Sequence, residues 1–407
     1  MDKLPISLCM IVKNEERHLA ACLESVHGWV DEIVIMDTGS SDTTREIARR
    51  YHASVYDHEW KNDFAEARNA ALAQARNPWL LQLDADEEIS RDDVPWFFES
   101  YPWTNALGYY LNIHNLKNEH NSEVSLIHRL IRFYRNHPDI HYESAIHETL
   151  HVSKSQVYTS PVRIIHKGYN HNVNTGLKRQ RNLKILQAKL KESPNNPFLL
   201  AYLAQHYQME GQLDTAVEIA EKSLWCGVTF PMRRHLLHLC FEYSFLKRDE
   251  TLIKKNFSML PVPDVFPDYH YYQGKYLELT GHNMSAASHY KKYRHLSGAQ
   301  SERHNDSFIP DLEVDVRRRE AMILSVNQQF DDAVILMKEA VTIAPSAYQL
   351  WAELGQYQFK LGQVEQASVS FGSVLKTLDY APPTPESATL KLRYSQLIEK
   401  LKPLILQ

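Results

Sequence analysis

The chain has 407 residues, of which 43% are hydrophobic and 23% are charged, so it is a globular protein with apolar material for two or three domains. The formal net charge of -5 gives no reason to expect nucleic-acid binding. No apolar stretch approaches the ~18 residues that span a bilayer, and the N-terminus lacks a signal-peptide pattern. We therefore expect a cytoplasmic protein without stable membrane insertion.

The first part of the chain alternates between apolar runs, which predict strands, and amphipathic segments, which predict helices. The predicted strands are residues 6–12, 33–36, 53–56 and 79–83, and the helices between them are residues 19–26, 43–51 and 63–75. Such alternation is typical of βαβ units with a mostly parallel sheet. Asp63 and Glu66 have the spacing of a capping box at the start of the third helix.

Acidic residues follow three of these strands. Glu15 comes after the first strand, Asp37 ends the second, and Asp84 and Asp86 come after the fourth. The carboxyl ends of parallel strands meet at one edge of the sheet, where ligands bind. Alone, an Asp-x-Asp motif is a weak signal, and a solvated acidic turn is the alternative. Together with Arg68 on the preceding helix, these acids predict a site for a nucleoside diphosphate and a Mg²⁺ or Mn²⁺ ion.

After a predicted helix at residues 92–100, the pattern becomes β-rich. Residues 107–113 and 124–134 are joined by a polar loop and predict a hairpin at the edge of the sheet. A further strand at residues 162–165 ends at His166. The neutral imidazole of His166 suits a third metal ligand, and an ordinary, partly buried histidine is the alternative.

Four segments resemble, in form and order, those of the inverting family 2 glycosyltransferases of GT-A fold. They are residues 7–15, 31–43, 63–69 and 83–87, within a resemblance that covers roughly residues 4–170. It implies that Glu15 and Asp37 contact the uridine or ribose of a UDP-sugar and that Arg68 faces the diphosphate. It also implies that Asp84 lies near the ribose and the metal, and that Asp86 is the firmest metal ligand. No glycine-rich dinucleotide or P-loop motif is present in the sequence.

An inverting transfer needs a base that takes the proton of the acceptor as it attacks the anomeric carbon. In related sequences a segment like residues 146–148 lies on the acceptor side. The resemblance therefore assigns Glu148 as the base, with His147 and Glu143 in reserve. The Glu-Asp pair of many family members is absent here, and a structural salt bridge is the alternative role for Glu148.

The C-terminal half is helical and repetitive. Small and large residues recur with the tetratricopeptide period of 34 residues, as between Ala333 and Ala367. The predicted copies are residues 197–230, 267–300, 314–347 and 348–381, with a degenerate copy at 231–266 and a capping helix at 390–401. We expect a GT-A domain of α/β class (1–171), a linker helix (172–196) and an all-α tetratricopeptide-repeat solenoid (197–407).

This layout resembles bacterial peptide glycosyltransferases that modify Cys or Ser side chains of glycopeptide bacteriocins. The resemblance implies a metal-dependent, inverting transfer of a hexose from a UDP-sugar to a Cys or Ser/Thr side chain of a peptide or protein. The repeats would bind the acceptor, form a homodimer, or both. Two alternatives stay open: a cell-envelope glucosyltransferase for lipopolysaccharide core or polysaccharide, and a repeat scaffold whose transferase domain has decayed.

Overall fold

The computed structural model describes residues 3–103, 105–118, 121–167, 175–260, 266–300, 312–380 and 384–405. The chain divides into two compact units, Met1–Val228 and Thr229–Gln407. The first unit contains a mixed β-sheet with helices, and the second is helical. The predicted borders of the GT-A domain (1–171), the linker helix (172–196) and the repeat solenoid (197–407) stay predictions. Within the described ranges, no helix combines the length and the apolar character needed to cross a bilayer.

One half of the large sheet is parallel and confirms the predicted βαβ pattern. Its strands, in the spatial order β3-β2-β1-β4, are β1 (Leu4–Val12), β2 (Val30–Asp37), β3 (Ser54–Asp57) and β4 (Trp79–Gln82). The intervening helices are α1 (Leu19–Val26), α2 (Thr44–Arg50) and α3 (Phe64–Leu72). In β1, Leu8 and Met10 pack into the core on one face, and Cys9 packs into the core on the other. The strand is mostly apolar because both of its faces are buried.

The other half of the sheet is partly antiparallel and continues in the order β4-β7-β6-β10-β5. Its elements are β5 (Glu87–Ile89), α4 (Val94–Glu99), β6 (Gly108–Asn118), β7 (Asn121–Arg135) and β10 (Val157–His166). The hairpin of β6 and β7 forms as predicted, but its predicted position at the sheet edge is wrong. β7 pairs with β4, because the free side of that buried strand needs hydrogen-bond partners. A small separate sheet pairs β8 (His141–Glu143) with β9 (Thr149–His151).

Arg68 is carried by α3, which begins at a side-chain cap. Asp63 Oδ1 accepts a hydrogen bond from the backbone N–H of Glu66 at 3.0 Å, which is one half of the predicted capping box. The Glu66 carboxylate pairs with His58 at 2.8 Å and with Lys61 at 3.0 Å. The cap fixes where α3 starts, and therefore where Arg68 lies one turn later.

Each predicted repeat is observed as a pair of helices. In the first unit these follow α5 (Thr175–Glu192) and are α6 (Pro197–Met209) and α7 (Leu213–Trp225). In the second unit they are α8 (Met232–Lys247), α9 (Glu250–Ser258), α10 (Pro267–Leu279), α11 (Asn283–Gln300), α12 (Leu312–Val326), α13 (Phe330–Ile343), α14 (Tyr348–Lys360) and α15 (Val364–Asp379), closed by α16 (Pro385–Ile405). The first residues of the predicted linker helix, 172–174, lie outside the described residues.

Two helix pairs of the second unit cross at a glycine that faces an aromatic ring. A Cβ added to Gly274 would lie 2.5 Å from a ring atom of Tyr290, and one added to Gly355 would lie 2.5 Å from a ring atom of Phe371. Both rings are buried. These contacts explain the small and large residues of the repeat pattern, since each aromatic ring occupies the volume that a side chain at the glycine position would need.

Replacing Gly355 with alanine is expected to lower the free energy of unfolding of the second unit by about 1–3 kcal/mol, because the new methyl group overpacks against Phe371. Gly372 is the matched control, since it also lies within a helix and a Cβ there meets no atom within 4 Å. Alanine at Gly372 should stabilise by about 0.5–1 kcal/mol. Urea unfolding measures the change in free energy of unfolding for both variants. If both variants are stabilised, or both are destabilised, the result would contradict this account.

Candidate active site

Asp37 ends β2 with one carboxylate oxygen fully engaged. Its Oδ1 accepts hydrogen bonds from the backbone N–H of Gly39 (2.9 Å) and Ser40 (2.8 Å) and from Arg45 Nη2 (2.8 Å). Burial raises the pKa of Asp37, but these donors outweigh burial and hold the pKa below its usual value. The other oxygen, Oδ2, is buried and has no hydrogen-bond partner within the described residues. It is therefore an acceptor that a ligand could use.

Glu15 lies in the loop after β1, which is tied to the loop after β2. Its backbone N–H donates to Thr44 Oγ1 at 2.7 Å, and the neighbouring Asn14 Oδ1 accepts from the backbone N–H of Ser41 at 2.8 Å. The two loops therefore form one surface at the carboxyl ends of β1 and β2. The predicted grouping of Glu15 with Asp37 at this edge agrees with the sheet register, in which Val12 pairs with Asp37.

Asp84 lies between two buried arginines. Its Oδ1 accepts from Arg68 Nη2 at 2.9 Å, and its Oδ2 accepts from Arg132 Nη2 at 3.0 Å. Burial raises the pKa of Asp84, but the two guanidinium groups more than compensate and hold it far below its usual range. Arg132 also donates to Glu87 Oε1 at 2.8 Å and to the side chain of Gln82. Burial nevertheless raises the pKa of Glu87 to about 7, although Arg132 acts in the opposite direction.

Arg68 links Asp84 to the predicted base. Its Nε donates to Glu148 Oε1 at 2.6 Å while its Nη2 bonds to Asp84. The third guanidinium nitrogen, Nη1, is buried and has no hydrogen-bond partner in the described part of the chain. Arg68 therefore orders two carboxylates and still has a donor for a ligand. The role of Glu148 as a base stays a prediction.

His147, the reserve base, packs away from this ion pair. Its ring stacks on Tyr202 with the ring centroids 3.6 Å apart and the planes 10° apart. Desolvation by this packing lowers the pKa of His147 to about 4, and the nearby Glu148 only partly opposes the shift. The imidazole is then uncharged at neutral pH and a weak base. Glu143, the other reserve, pairs with His141 and His151 at 3.4 Å.

Asp86 and His166 form a second group at the same sheet edge. Asp86 Oδ2 lies 3.4 Å from His166 Nε2. The other ring nitrogen, Nδ1, lies 2.6 Å from Asn115 Oδ1, and Asn115 Nδ2 lies 3.0 Å from His128 Nδ1. This hydrogen-bond network orients the imidazole, because Asn115 Oδ1 accepts from Nδ1 and Nε2 is left facing Asp86. Burial lowers the pKa of His166, but the hydrogen bond and the charge of Asp86 outweigh burial and raise the pKa above its usual value. His166 and Asn115 are direct neighbours in the pairing of β10 with β6.

The Asp86–His166 pair fits a divalent cation in part. Two ligands that bind one ion at about 2.0–2.2 Å, with an angle of about 90–110°, lie about 2.8–3.6 Å apart, and the observed separation is 3.4 Å. Asp84 fits less well, because both of its oxygens accept from arginines. Among the described residues no group of three or more His, Cys, Asp or Glu side chains is placed to hold a metal. Asp84 as a metal ligand stays a prediction.

Several residues of this cluster were not predicted from the sequence. They are Gln82, Glu87, Asn115 and Arg132. A signal was present for Arg132, because it stands between the apolar residues Ile131 and Phe133 of β7, and a buried charged residue usually has a buried partner. Asn115 has no such signal, since its partner is set by the register of β6 against β10.

Residues 7–152 match the family model described as glycosyl transferase family 2. This segment is a family 2 glycosyltransferase domain. It has the predicted GT-A-like α/β fold, and the tetratricopeptide-repeat region follows it.

Two curated relatives are similar to this chain over more than half of its length. A TPR repeat-containing protein of Synechococcus elongatus is 31% identical over 60% of this chain and 62% of that protein. The SPbeta prophage-derived glycosyltransferase SunS of Bacillus subtilis is 25% identical over 58% of this chain and 57% of SunS. The chain thus spans less than two thirds of either relative. Among solved structures, S. aureus TarS 1-349 is similar with a TM-score of 0.35 and 13% identity, over 72% of this chain and 92% of that chain.

Proposed function

We propose that the chain is a metal-dependent, inverting glycosyltransferase that moves a hexose from a UDP-sugar to a Cys or Ser/Thr side chain of a peptide or protein. The family 2 domain supports the general activity. The observation that carries the metal dependence is the 3.4 Å approach of Asp86 Oδ2 to His166 Nε2, next to the arginine-linked Asp84 and Glu148. Two protein ligands suffice for Mg²⁺ when the phosphates of the substrate supply further oxygens.

Donor binding would use Asp37 Oδ2 and Arg68 Nη1, two buried atoms of the site that have no hydrogen-bond partner in the described ranges. Asp37 Oδ2 would accept a hydrogen bond from the uridine or ribose, with Glu15 on the adjoining loop. Arg68 Nη1 would donate to the diphosphate. A ligand that supplies these bonds would satisfy buried polar groups that otherwise cost free energy. A bound Mg²⁺ or Mn²⁺ would stabilise the negative charge that develops on the departing diphosphate.

Transfer would then proceed as a single displacement. The acceptor sulfur or oxygen attacks the anomeric carbon from the face opposite the diphosphate, the bond from that carbon to the phosphate oxygen breaks, and UDP leaves with the electron pair. Arg68 holds Oε1 of Glu148, so Oε2 is the atom that would take the proton of the acceptor. A peptide acceptor suits the repeats, because helical solenoids present extended binding surfaces.

UDP with Mn²⁺ is expected to raise the unfolding midpoint of the first unit. At a UDP concentration of 100 times Kd the stabilisation is about 2.7 kcal/mol, which corresponds to about 5–10 °C for a unit of this size. Differential scanning calorimetry checks it, with ADP and with EDTA as controls. A UDP effect of equal size in EDTA would contradict metal-linked donor binding.

The activity itself is tested by mass spectrometry. The full chain is incubated with Mn²⁺, each of a panel of UDP-hexoses, and peptides that contain Cys, Ser or Thr. The expected result is one added hexosyl unit with one donor, and alkylation of the Cys beforehand separates transfer to sulfur from transfer to oxygen. If no donor gives either transfer or UDP release, the result favours the alternative of a repeat scaffold whose transferase domain has decayed.

A further inference from the structure

The segment that carries Glu148 has an unusual backbone. Residues 144–148 connect β8 to β9 outside the large sheet. Ser144 has φ of 74° and His147 has φ of 53°, so two non-glycine residues adopt the left-handed region within four positions. Such conformations persist when the surroundings impose them, and they are often found at functional sites. The packing around this segment therefore decides where Glu148 lies.

That packing comes from Trp60, which precedes α3, from Phe64 at the start of α3, and from two helices that follow the glycosyltransferase domain. Ala145 and Ile146 are buried in a cluster with Ile185 and Leu186 of α5, against which Leu199 and Tyr202 of α6 also pack. The backbone of α3 adds one bond, from the N–H of Phe64 to the carbonyl oxygen of Ala145 at 2.8 Å. His147 completes the contact by stacking on Tyr202.

We infer that Tyr202, on the first helix of the first repeat, is a positioning residue that fixes the segment carrying Glu148 through its stack on His147. The inference rests on the proposed function. Glu148 follows His147 directly, so it has two restraints: the bond of its carboxylate to Arg68, and the backbone conformation that the stack imposes. The repeat region then takes part in the chemical step as well as in any contact with the acceptor.

The electrostatics of the stack agree with this role. An aromatic ring on one face of the imidazole removes water, and this desolvation lowers the pKa of His147. The ring is therefore uncharged at neutral pH and adds no second cation beside Glu148. Arg68 remains the cationic partner that the structure places against that carboxylate.

Hydrogen exchange tests the positioning without any assumption about the reaction. In the full chain, Tyr202→Ala is expected to speed amide exchange in a peptide spanning residues 141–151, and Tyr202→Phe is expected to retain the wild-type rates. Phe198→Ala is the matched control, because Phe198 lies on the same helix and is 46% exposed. If Tyr202→Ala unfolds the chain, Tyr202→Leu keeps the apolar volume and removes the ring. Unchanged exchange in every folded variant that lacks the ring would overturn the inference.

Turnover tests its consequence. Release of UDP from a UDP-hexose is expected to fall about 10–100-fold in kcat for Tyr202→Ala, since misplacement of a catalytic group by about 1 Å can cost 10²-fold. The KM for the donor and the stabilisation by UDP should not change, and Tyr202→Phe should restore the rate. A wild-type chain without turnover contradicts the proposed function. If the wild type turns over and Tyr202→Ala has the same kcat, the result contradicts the positioning role of Tyr202 and leaves the proposed function intact.

Discussion

Replacing Asp86 with asparagine is expected to lower hexose transfer by about 10²–10³-fold. The carboxylate is the proposed metal ligand that His166 faces, and a Lewis-acid ion contributes several kcal/mol to the transition state, each ~1.4 kcal/mol being tenfold in rate. Asparagine keeps the size and one oxygen of the side chain while it removes the charge. The same variant should lose the effect of Mn²⁺ on stabilisation by UDP.

Steady-state kinetics at saturating Mn²⁺ measures this loss. Asp92→Asn is the matched control, because Asp92 lies in the turn after β5 with a side chain that is 86% exposed. That variant should transfer at the wild-type rate. An Asp86→Asn protein with wild-type turnover, or one in which Mn²⁺ still strengthens UDP binding, would contradict the assignment of Asp86.

Replacing Arg132 with methionine is expected to destabilise the first unit by about 3–5 kcal/mol at pH 9, where Glu87 is ionised in the wild type, because removal of one partner leaves buried carboxylates without their counter-charge. Arg132 is 8% exposed and Glu87 is 4% exposed, so solvent cannot take the place of the guanidinium. Asp84 keeps its bond to Arg68. The loss should therefore fall mainly on Glu87.

Urea unfolding of four variants, Arg132→Met, Glu87→Gln, their combination and a control, separates the contributions of Arg132 and Glu87. Arg129→Met on the same strand is the control, because Arg129 is exposed and its replacement should change stability by less than about 0.5 kcal/mol. The double variant Arg132→Met with Glu87→Gln should recover part of the loss, since no unpaired carboxylate remains at position 87. A double variant that loses the sum of the single changes would show that the two side chains are not coupled.

The parallel half of the sheet could be predicted because its signals are local. The strands β1, β2 and β4 are buried on both faces and are therefore mostly apolar, and turn residues mark where they end. The position of the β6–β7 hairpin could not be predicted in this way. Its hydrogen bonds to β4 and β10 depend on the order of the strands in space. The alternation of side chains along β6 and β7 does not reveal this order, because it would be the same if the hairpin lay at the edge of the sheet or in its interior.

The residues of the candidate site also fall into two groups, those that local signals predict and those that depend on long-range pairing. Residues 15, 37, 84 and 86 were predicted because the carboxyl ends of successive strands meet. Arg132 reaches Asp84 from a strand 48 residues later in the chain, and Asn115 meets His166 across 51 residues. Such contacts are set by register between distant strands. The contact between Tyr202 and His147 could not be predicted either, because the two residues belong to different predicted domains.

Asp37 Oδ2, which has no hydrogen-bond partner among the residues that the structure describes, has a consequence for discrimination between nucleotides. An ionised carboxylate accepts hydrogen bonds and donates none. A pyrimidine with an N–H at its third ring position, as in uracil, would complete that bond, whereas cytosine presents a lone pair there and would leave two acceptors facing each other. A site built to bond one hydrogen atom rejects an analogue that lacks it by about 10⁴–10⁵-fold in favourable cases. In the proposed donor pocket, a single proton would thus separate two nucleotides of nearly identical shape.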